Sequence, residues 1–446
     1  MEQTGERRNL LKYCIVTYGC QMNAHESEKL SGILEAEGYE RAVGTEDADL
    51  VVFNTCCIRE NAERKAEGNI GALKKWKRAN PSRQIAVVGC MTQQEGFAER
   101  LAQKFPFVDV MLGTHNAYDL VPMLERARRK GKVFEIVESG CAREDVPARR
   151  DSGVSALVNI MYGCDNFCTY CIVPYVRGRE RSRAPEGIRA EVAELLEKGY
   201  REITLLGQNV NSYRGVRENG QSVDFSELLA ELAELPYRYR LRFMTSHPKD
   251  FSEKLVRTVA SHDNIAKCIH LPVQAGSSEI LRRMNRRYSR EDYLEKIACV
   301  RRLIPDCAIT TDLMVGFPGE TEEDFEQTMR LCREVKFSSA FTFVYSRRSG
   351  TKAAEYPDQV PEDVKKSRIM RLVALQNQIT AEGAKAFLGK TCDVLCEGTD
   401  DGGTGYFGRT EDGRLVLFSG AEEDVGKFLK IKITHAGAMS LRGDKV

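Results

Sequence analysis

The stretch GCDNFCTYCIVPY, from Gly163 to Tyr175, sets Cys164, Cys168 and Cys171 in a C-x3-C-x2-C spacing. Three thiolates in one short loop can grip three irons of a cubane [4Fe-4S] cluster and leave the fourth iron without a protein ligand. An open iron accepts a small chelating molecule. A zinc site would want a fourth Cys or His close by. The next histidine is His247 and the next cysteine Cys268, too far for a short zinc loop. A disulfide framework suits 15 cysteines poorly, an odd number in a chain with no signal-peptide pattern at its start. A structural metal or uncombined thiols remain the alternative.

The loop resembles that of radical S-adenosylmethionine enzymes. There the open iron holds the amino and carboxylate end of the cofactor, and one electron cleaves a sulfonium C–S bond to release a 5'-deoxyadenosyl radical. Tyr170, between two of the thiols, is either loop packing or an aromatic wall beside the adenine.

Around this loop lies a chain of 446 residues, 42% hydrophobic and 29% charged, enough for two or three domains of ordinary globular composition. No run of 18 apolar residues is present, so no membrane-spanning helix is expected. Many cysteines without an export signal point to a reducing cytosol and to metal binding. A formal net charge of +1 leaves a nucleic-acid partner open, because local patches decide that question.

Upstream, apolar strands are predicted at Leu11–Thr17, Asp49–Asn54, Gln84–Val88 and Val108–Leu112. Helices are predicted near Asn23–Gly38, Arg59–Ala79 and Ala117–Arg129. This alternation predicts an open parallel α/β sheet. Met1–Asn9 reads as a frayed polar tail. Cys20, Cys56 and Cys90 each fall just past a strand's carboxyl end, the edge where such sheets bind ligands. Three thiols distant in sequence are thereby brought together, which suggests a second three-cysteine cluster. The bland alternative is burial as small hydrophobes. That is the expectation for Cys14, Cys57, Cys141, Cys268, Cys299, Cys307, Cys332, Cys392 and Cys396. Gln21, Met22 and Asn23 are candidates to surround the site at Cys20.

Residues 138–153 read as a linker. From Val154 onward six strands alternate with helices: Val154–Met161, Glu202–Leu206, Tyr239–Met244, Cys268–Leu271, Ala308–Val315 and Ala340–Tyr345. Six such units predict a partial, TIM-like barrel open on one side, with its site at the strands' carboxyl ends. Polar motifs stand there: Gly207-Gln208-Asn209, Thr245-Ser246-His247-Pro248, Pro272-Val273-Gln274 and Gly316-Phe317-Pro318-Gly319-Glu320. Each is an ordinary turn or cap on its own. Together they form a ring suited to the cofactor, with Tyr170, Gln208, Asn209, Gln274, Gly316 and Glu320 as candidate contacts. Sequence does not decide whether Glu320 caps the next helix or meets a ribose. His247 and His270 are expected to hydrogen-bond locally.

Two basic stretches stand out. Arg177, Arg179, Arg181 and Arg183 lie just beyond the cluster loop, and Arg282, Arg283, Arg286 and Arg287 lie in RRMNRRYSR. Charge runs are usually solvated surface, but arginines beside an open barrel mouth suit phosphates and raise nucleic acid as the partner. A long charged helix over Glu362–Phe387 leads to short strands at Cys392–Glu397, Gly405–Thr410, Leu415–Phe418 and Phe428–His435. These predict a small OB-like barrel of roughly 60 residues. It is either a structural appendage or an RNA-holding module using Lys390, Arg409, Arg414, Lys430 and Lys432.

YGCQMN at Tyr18, NTC at Asn54, GCM at Gly89 and GCDNFCTYCIVPYVRGRERSR at Gly163 resemble the signatures of the radical S-adenosylmethionine methylthiotransferase family, across nearly the whole chain. LLGQNVNSY from Leu205, FMTSHPKDF from Phe243, HLPVQAGS from His270 and TTDLMVGFPGETEEDF from Thr310 resemble its branch acting on dimethylallyl-adenosine in tRNA. Asp165 departs from that branch's usual asparagine, beside a ligand and not at one.

The resemblance implies an N-terminal methylthiotransferase domain (10–137), the linker, a radical domain (154–380) and a C-terminal TRAM domain (381–446). It implies two [4Fe-4S] clusters, an auxiliary one on Cys20, Cys56 and Cys90 and a radical-generating one on Cys164, Cys168 and Cys171. It further implies S-adenosylmethionine used both as methyl donor and as radical source, with methylthiolation of adenine C2 at position 37 of a tRNA anticodon stem-loop. An aromatic C2–H is too strong and too weakly acidic for a side-chain base, and the base must leave its stack to be reached. An electron donor such as flavodoxin, a sulfide source, a monomer and a cytoplasmic location complete the expectation. Methylthiolation of threonylcarbamoyl-adenosine or of a ribosomal-protein aspartate stays open, as does a non-catalytic iron–sulfur RNA-binding or sensing protein.

Overall fold

The structure, a computed structural model, describes residues 10–57, 60–138, 140, 146–150, 153–400, 403 and 405–446. The Met1–Asn9 tail, Cys141 and about half of the expected linker lie outside the described residues. The chain divides into two compact units, Met1–Asp151 with Ile172–Arg179, and Ser152–Cys171 with Glu180–Val446. The eight residues after Cys171 therefore belong to the N-terminal unit, a break in chain order that the sequence did not signal.

The first unit is built on a six-stranded parallel sheet. Its order is Glu40–Arg41, Lys12–Thr17, Leu50–Thr55, Gln84–Gly89, Val110–Leu112, Val133–Glu135. The two middle strands, LVVFNT and QIAVVG, are buried at every position, and strands covered on both faces read as continuous apolar runs. The four predicted strands are all present. The two edge strands escaped prediction because each is only two or three residues long and carries charge, as exposed edges usually do. The expected helix to Ala79 is two, Glu60–Ala72 and Lys74–Ala79. A helix over Phe97–Lys104, with Phe97, Ala98 and Leu101 buried, was also missed.

The second unit holds the expected open barrel. Three parallel strands, Ser155–Asn159, Glu202–Leu206 and Arg240–Phe243, pair in sequence order, and Cys268–His270, Ala308–Val315 and Ser339–Val344 form a second such set. A parallel bridge pairs Leu241 with Ile265, in the segment that leads into the second set. Among the described residues the first and last strands are not paired with each other. Helices cover the outside, and Tyr293, Phe317, Phe325 and Phe337 are fully buried in one core with the strand side chains. The helix Glu362–Lys385 leads to a closed five-stranded barrel of Thr391–Thr399, Tyr406–Thr410, Leu415–Phe418, Leu441–Lys445 and Phe428–Ala436. The closing strand, LRGDK, was not foreseen, since only Leu441 and Gly443 face inward.

Paired arginines seat this small barrel against the larger one. Arg240 and Arg242 donate to the carbonyls of Thr410 (3.1 and 2.9 Å), and Arg242 also to that of Glu411 (2.8 Å). Buried Glu202 accepts from both, at 3.3 and 2.8 Å, and balances their charge.

Candidate cluster and cofactor sites

In the N-terminal unit three loops leave the carboxyl edge of the sheet side by side. Cys20 is the N-cap of the helix Gln21–Ala36, with extended backbone at φ −98° and ψ 176°. Gly19, at φ +116°, brings Cys56 close: a Cβ on it would fall 2.4 Å from Cys56 Cβ and 2.8 Å from its Sγ. The Cys90 N–H donates to the Thr55 carbonyl at 3.0 Å, fixing the third loop to the second. Cys56 and Cys90 are buried and Cys20 is exposed. The structure thus sets the three cysteines read from strand ends on neighbouring loops at one sheet edge.

Cys57 is there too. It packs with Cys90, Ile172 and Val176 in a small apolar cluster. Its hydrogen bond, opposed by burial and aided by the Arg177 guanidinium, pulls the Cys90 thiol down to about 7. Reading Cys57 as inert packing missed this contact. Of the other cysteines expected in the interior, Cys332 and Cys396 are buried, while Cys14, Cys268, Cys299, Cys307 and Cys392 are half-buried.

In the second unit the loop after Ser155–Asn159 carries Cys164, Cys168 and Cys171. Gly163 and Phe167 take positive φ, 76° and 47°, which curls the loop. The Cys171 N–H donates to the Cys168 carbonyl at 2.9 Å. Burial, reinforced by the Cys168 sulfur and Glu180, pushes the Cys164 thiol up to about 11. The Tyr170 ring packs on the barrel core. Its hydroxyl accepts from Arg286 at 3.5 Å. Among the described residues, no three thiol, imidazole or carboxylate groups stand ready around a single metal ion. The donor set is nevertheless the one a cluster wants: two groups of three soft sulfurs, each at the carboxyl edge of a parallel sheet and each beside a buried guanidinium.

The barrel's carboxyl edge carries buried polar atoms without partners, which is where a polar ligand fits. Both amide atoms of Asn159, Asn209 Oδ1, Ser246 Oγ and His247 Nε2 have no hydrogen-bond partner, and all four residues are at most 5% exposed. Buried polar groups are normally satisfied. His247 Nδ1 accepts from the Lys249 N–H at 3.1 Å, so the proton is on Nε2. Burial, with Arg286 and Lys249 nearby, keeps the ring neutral. The local bond expected of His247 is real but uses one nitrogen only. His270 bonds Thr310 at 2.9 Å. Asn209 also donates to Asp250 at 2.7 Å. Gln208 is half-buried on the same loop, and Gln274 is buried at φ +73°. Asn159 was not singled out from sequence, and Ser246 was named only as part of the Thr245–Pro248 motif. The position of each, ending or just following a barrel strand, was the available signal.

Several expectations need correction. Glu320 does not cap the next helix: Thr321 caps Glu322–Val335, and Glu320 Oε1 accepts from the Gly316 N–H (2.9 Å) and Arg368 (2.8 Å). It ties down the glycine turn, in which Gly316 has φ +73° and a Cβ would strike Lys365. Three of the eight arginines read as phosphate contacts are interior. Arg177 is 5% exposed and paired with Glu26, and Arg183, at 4%, pairs with Glu191. Arg286, also at 4%, donates to Pro272 O (2.8 Å), to Tyr288 (2.9 Å) and to Cys168 Sγ (3.4 Å). An arginine-rich run looks solvated in sequence, yet guanidinium groups are well suited to buried pairing. Arg179, Arg282 and Arg287 are exposed, and Arg181 and Arg283 half-exposed. In the small barrel Arg414 pairs with Asp412 and Lys430 with Asp393, while Lys390 and Lys432 are exposed. No described helix is long and apolar enough to cross a membrane.

The chain is similar to known proteins along its whole length. Residues 158–332 match the radical SAM superfamily, residues 385–446 the TRAM domain, and residues 12–113 a family described as uncharacterized protein family UPF0004. A tRNA-2-methylthio-N(6)-dimethylallyladenosine synthase of Clostridium botulinum (strain Langeland) is 51% identical over 438 residues, 98% of this chain and 97% of the relative. One of Clostridium perfringens (strain SM101) is 50% identical, with 97% of each chain covered. Among solved structures, the radical S-adenosylmethionine methyltransferase TsrM of Kitasatospora setae, with cobalamin and a [4Fe-4S] cluster bound, shares the fold at a TM-score of 0.57 and 15% identity, over 77% of each chain. On this full-length identity, and with the two cysteine sets placed as described, the chain belongs to the family of tRNA-2-methylthio-N(6)-dimethylallyladenosine synthases, which are radical S-adenosylmethionine enzymes.

Proposed function

We propose that this chain methylthiolates C2 of N6-dimethylallyladenosine at position 37 of tRNA. The observation that carries the reading is the presence, in one chain, of two three-cysteine sets at the carboxyl edges of two separate parallel sheets. Cys164, Cys168 and Cys171 would hold the radical-generating [4Fe-4S] cluster, and Cys20, Cys56 and Cys90 the auxiliary one. When bound, these clusters and S-adenosylmethionine supply an electron, a hydrogen-abstracting radical, a methyl group and a site for the sulfur that is transferred.

The chain's own residues do the rest. Arg286 sets a fixed positive charge beside Cys168 in a place closed to water, where electrostatics act strongly. Asn159, Asn209, Ser246 and His247 offer unpaired donors and acceptors, so a polar cofactor bound among them would satisfy groups that now lack partners. The neutral His247 can only donate from Nε2, which suits a carboxylate or a purine nitrogen. Tyr170 supplies an aromatic surface next to the thiols. Glu320 and Arg368 hold the Gly316 turn so that backbone, not side chain, lines that part of the rim.

The tRNA is read by the exposed part of the basic stretches, Arg179, Arg181, Arg282, Arg283 and Arg287, and by the small barrel. The same reading takes domains of 10–137, 154–380 and 381–446 by family signature, with Ile172–Arg179 packed in the N-terminal unit. A flavodoxin-like reductant, a sulfide source, a monomeric state and a cytoplasmic location belong to the same reading. The test is anaerobic turnover of the reconstituted protein with S-adenosylmethionine, reductant, sulfide and an isopentenylated anticodon stem-loop, analysed by nucleoside mass spectrometry. Gain of one methylthio group on the adenosine is the expected result. Cofactor cleavage with unchanged RNA would refute the substrate, and the threonylcarbamoyl RNA and the ribosomal protein would follow. No iron in either cysteine set would refute the chemistry.

A further inference from the structure

Arg177 looks in sequence like one more phosphate-binding arginine, but it is the central charge of the N-terminal unit's cysteine site. It closes the short helix Val173–Arg177 and is 5% exposed. Nη1 and Nη2 grip the two carboxylate oxygens of Glu26, at 2.6 and 3.2 Å, and Nη2 also donates to Asn23 Oδ1 at 3.1 Å. That same oxygen lies 3.5 Å from Cys20 Sγ. On its other side Asn23 donates to Thr55 O at 3.0 Å, next to Cys56, and accepts at its own carbonyl from Asn54 at 2.9 Å. Thr55 O in turn receives the Cys90 N–H. One guanidinium and one amide thus touch all three cysteine loops. Burial opposes the charge on Arg177, yet the negative charges of Cys90, Glu26 and Cys20 around it hold its pKa well above the ordinary arginine value.

Glu26 already neutralises Arg177, so the pair alone needs no further anion. Three thiolates gathered around a cluster make a buried negative centre, however, and such a centre is unstable unless a positive group stands against it. Fixed charge and hydrogen bonds near a cluster also set its potential. We propose that Arg177, held by Glu26 and Asn23, is the positioning residue of the Cys20–Cys56–Cys90 site, fixing its ligand loops and raising the reduction potential of the cluster bound there. The inference rests on the reading that these cysteines hold a cluster.

The test uses the full chain with Cys164, Cys168 and Cys171 replaced by alanine, so that only this site can carry a cluster. The protein is reconstituted anaerobically, its iron and sulfide are measured, and its midpoint potential is followed by electron paramagnetic resonance. Arg177→Met is expected to retain iron and shift the potential down. Arg177→Lys restores most of it. Glu26→Gln, which leaves the guanidinium uncompensated, shifts it up. A merely structural role would not give shifts of opposite sign. An unchanged midpoint in iron-replete R177M, or equal shifts in R177M and R177K, overturns the proposal. Should R177M lose its iron, an unchanged midpoint in E26Q overturns it. A parent protein that binds no iron overturns both this inference and the cluster reading beneath it.

Discussion

Replacing Gly19 by alanine should damage the auxiliary site without touching any sulfur. The added methyl would lie 2.4 Å from Cys56 Cβ and 2.8 Å from Cys56 Sγ. Carbon atoms pack at about 3.5–4.0 Å, so Cys56 would have to retreat by about 1 Å. The strand it follows, Leu50–Thr55, is buried throughout and cannot give way cheaply. The backbone adds to the cost, because φ is +116° at this position. A conformation of that kind costs a residue with a Cβ about 1–3 kcal/mol, and forcing atoms into a packed region about 1–3 kcal/mol more. The sum, about 2–6 kcal/mol, is a large part of the 5–15 kcal/mol that typically holds a domain folded. Gly44 provides the control, since a Cβ there meets nothing within 4 Å. The assay is urea unfolding of both variants, with iron analysis of the Gly19 variant in the background lacking the three radical-loop cysteines. G19A should unfold at clearly lower urea and hold less than half the parent's iron, and G44A should match the parent within about 0.5 kcal/mol. A G19A protein of unaltered midpoint and full iron would refute the idea that Gly19 exists to let Cys56 approach.

Three further outcomes are expected. Glu202→Ala leaves Arg240 and Arg242 without their buried counter-charge. It should cost about 3–5 kcal/mol in urea unfolding, as breaking buried pairs does, and a loss under 1 kcal/mol would show that the arginines relax into water. Arg286→Met removes one hydrogen bond from the Pro272 carbonyl and one from the Tyr288 hydroxyl, which keeps its bond to the Val273 carbonyl at 2.9 Å. It should destabilise by about 1–3 kcal/mol and slow reductive cleavage of S-adenosylmethionine, measured as 5'-deoxyadenosine formed; unchanged cleavage would remove Arg286 from the site. Glu320 stands at about 7, raised by burial and held back by the Gly316 N–H and Arg368. A carboxyl whose folded pKa lies above its unfolded value lends stability that is complete below the unfolded value, near 4.5, and fades as pH rises to about 7. The stability of the wild-type chain relative to Glu320→Gln should therefore decline across that window, and a flat difference would contradict the assignment.

The sequence by itself determined the strand–helix alternation, the parallel pairing of the strands in both units and the three-cysteine loop. Each rests on local physics: apolar runs of strand length, short turns, and thiols close enough in sequence to share a cluster. Strand ends also pointed to one sheet edge for Cys20, Cys56 and Cys90, because parallel strands put their carboxyl ends on one edge. What the sequence could not decide was which charges are interior. RGRERSR and RRMNRRYSR look alike as solvated runs, yet Arg177, Arg183 and Arg286 are buried and their neighbours Arg179 and Arg287 are exposed. Burial of a guanidinium depends on a carboxylate or carbonyl brought to it from elsewhere: Glu26 lies 151 residues from Arg177, and Pro272 lies across a helix and a turn from Arg286. Glu320 turned inward for the same reason, its partner Arg368 standing on a later helix. Partners so far apart in the chain leave no periodic mark in it, and only the folded chain brings them within hydrogen-bonding distance.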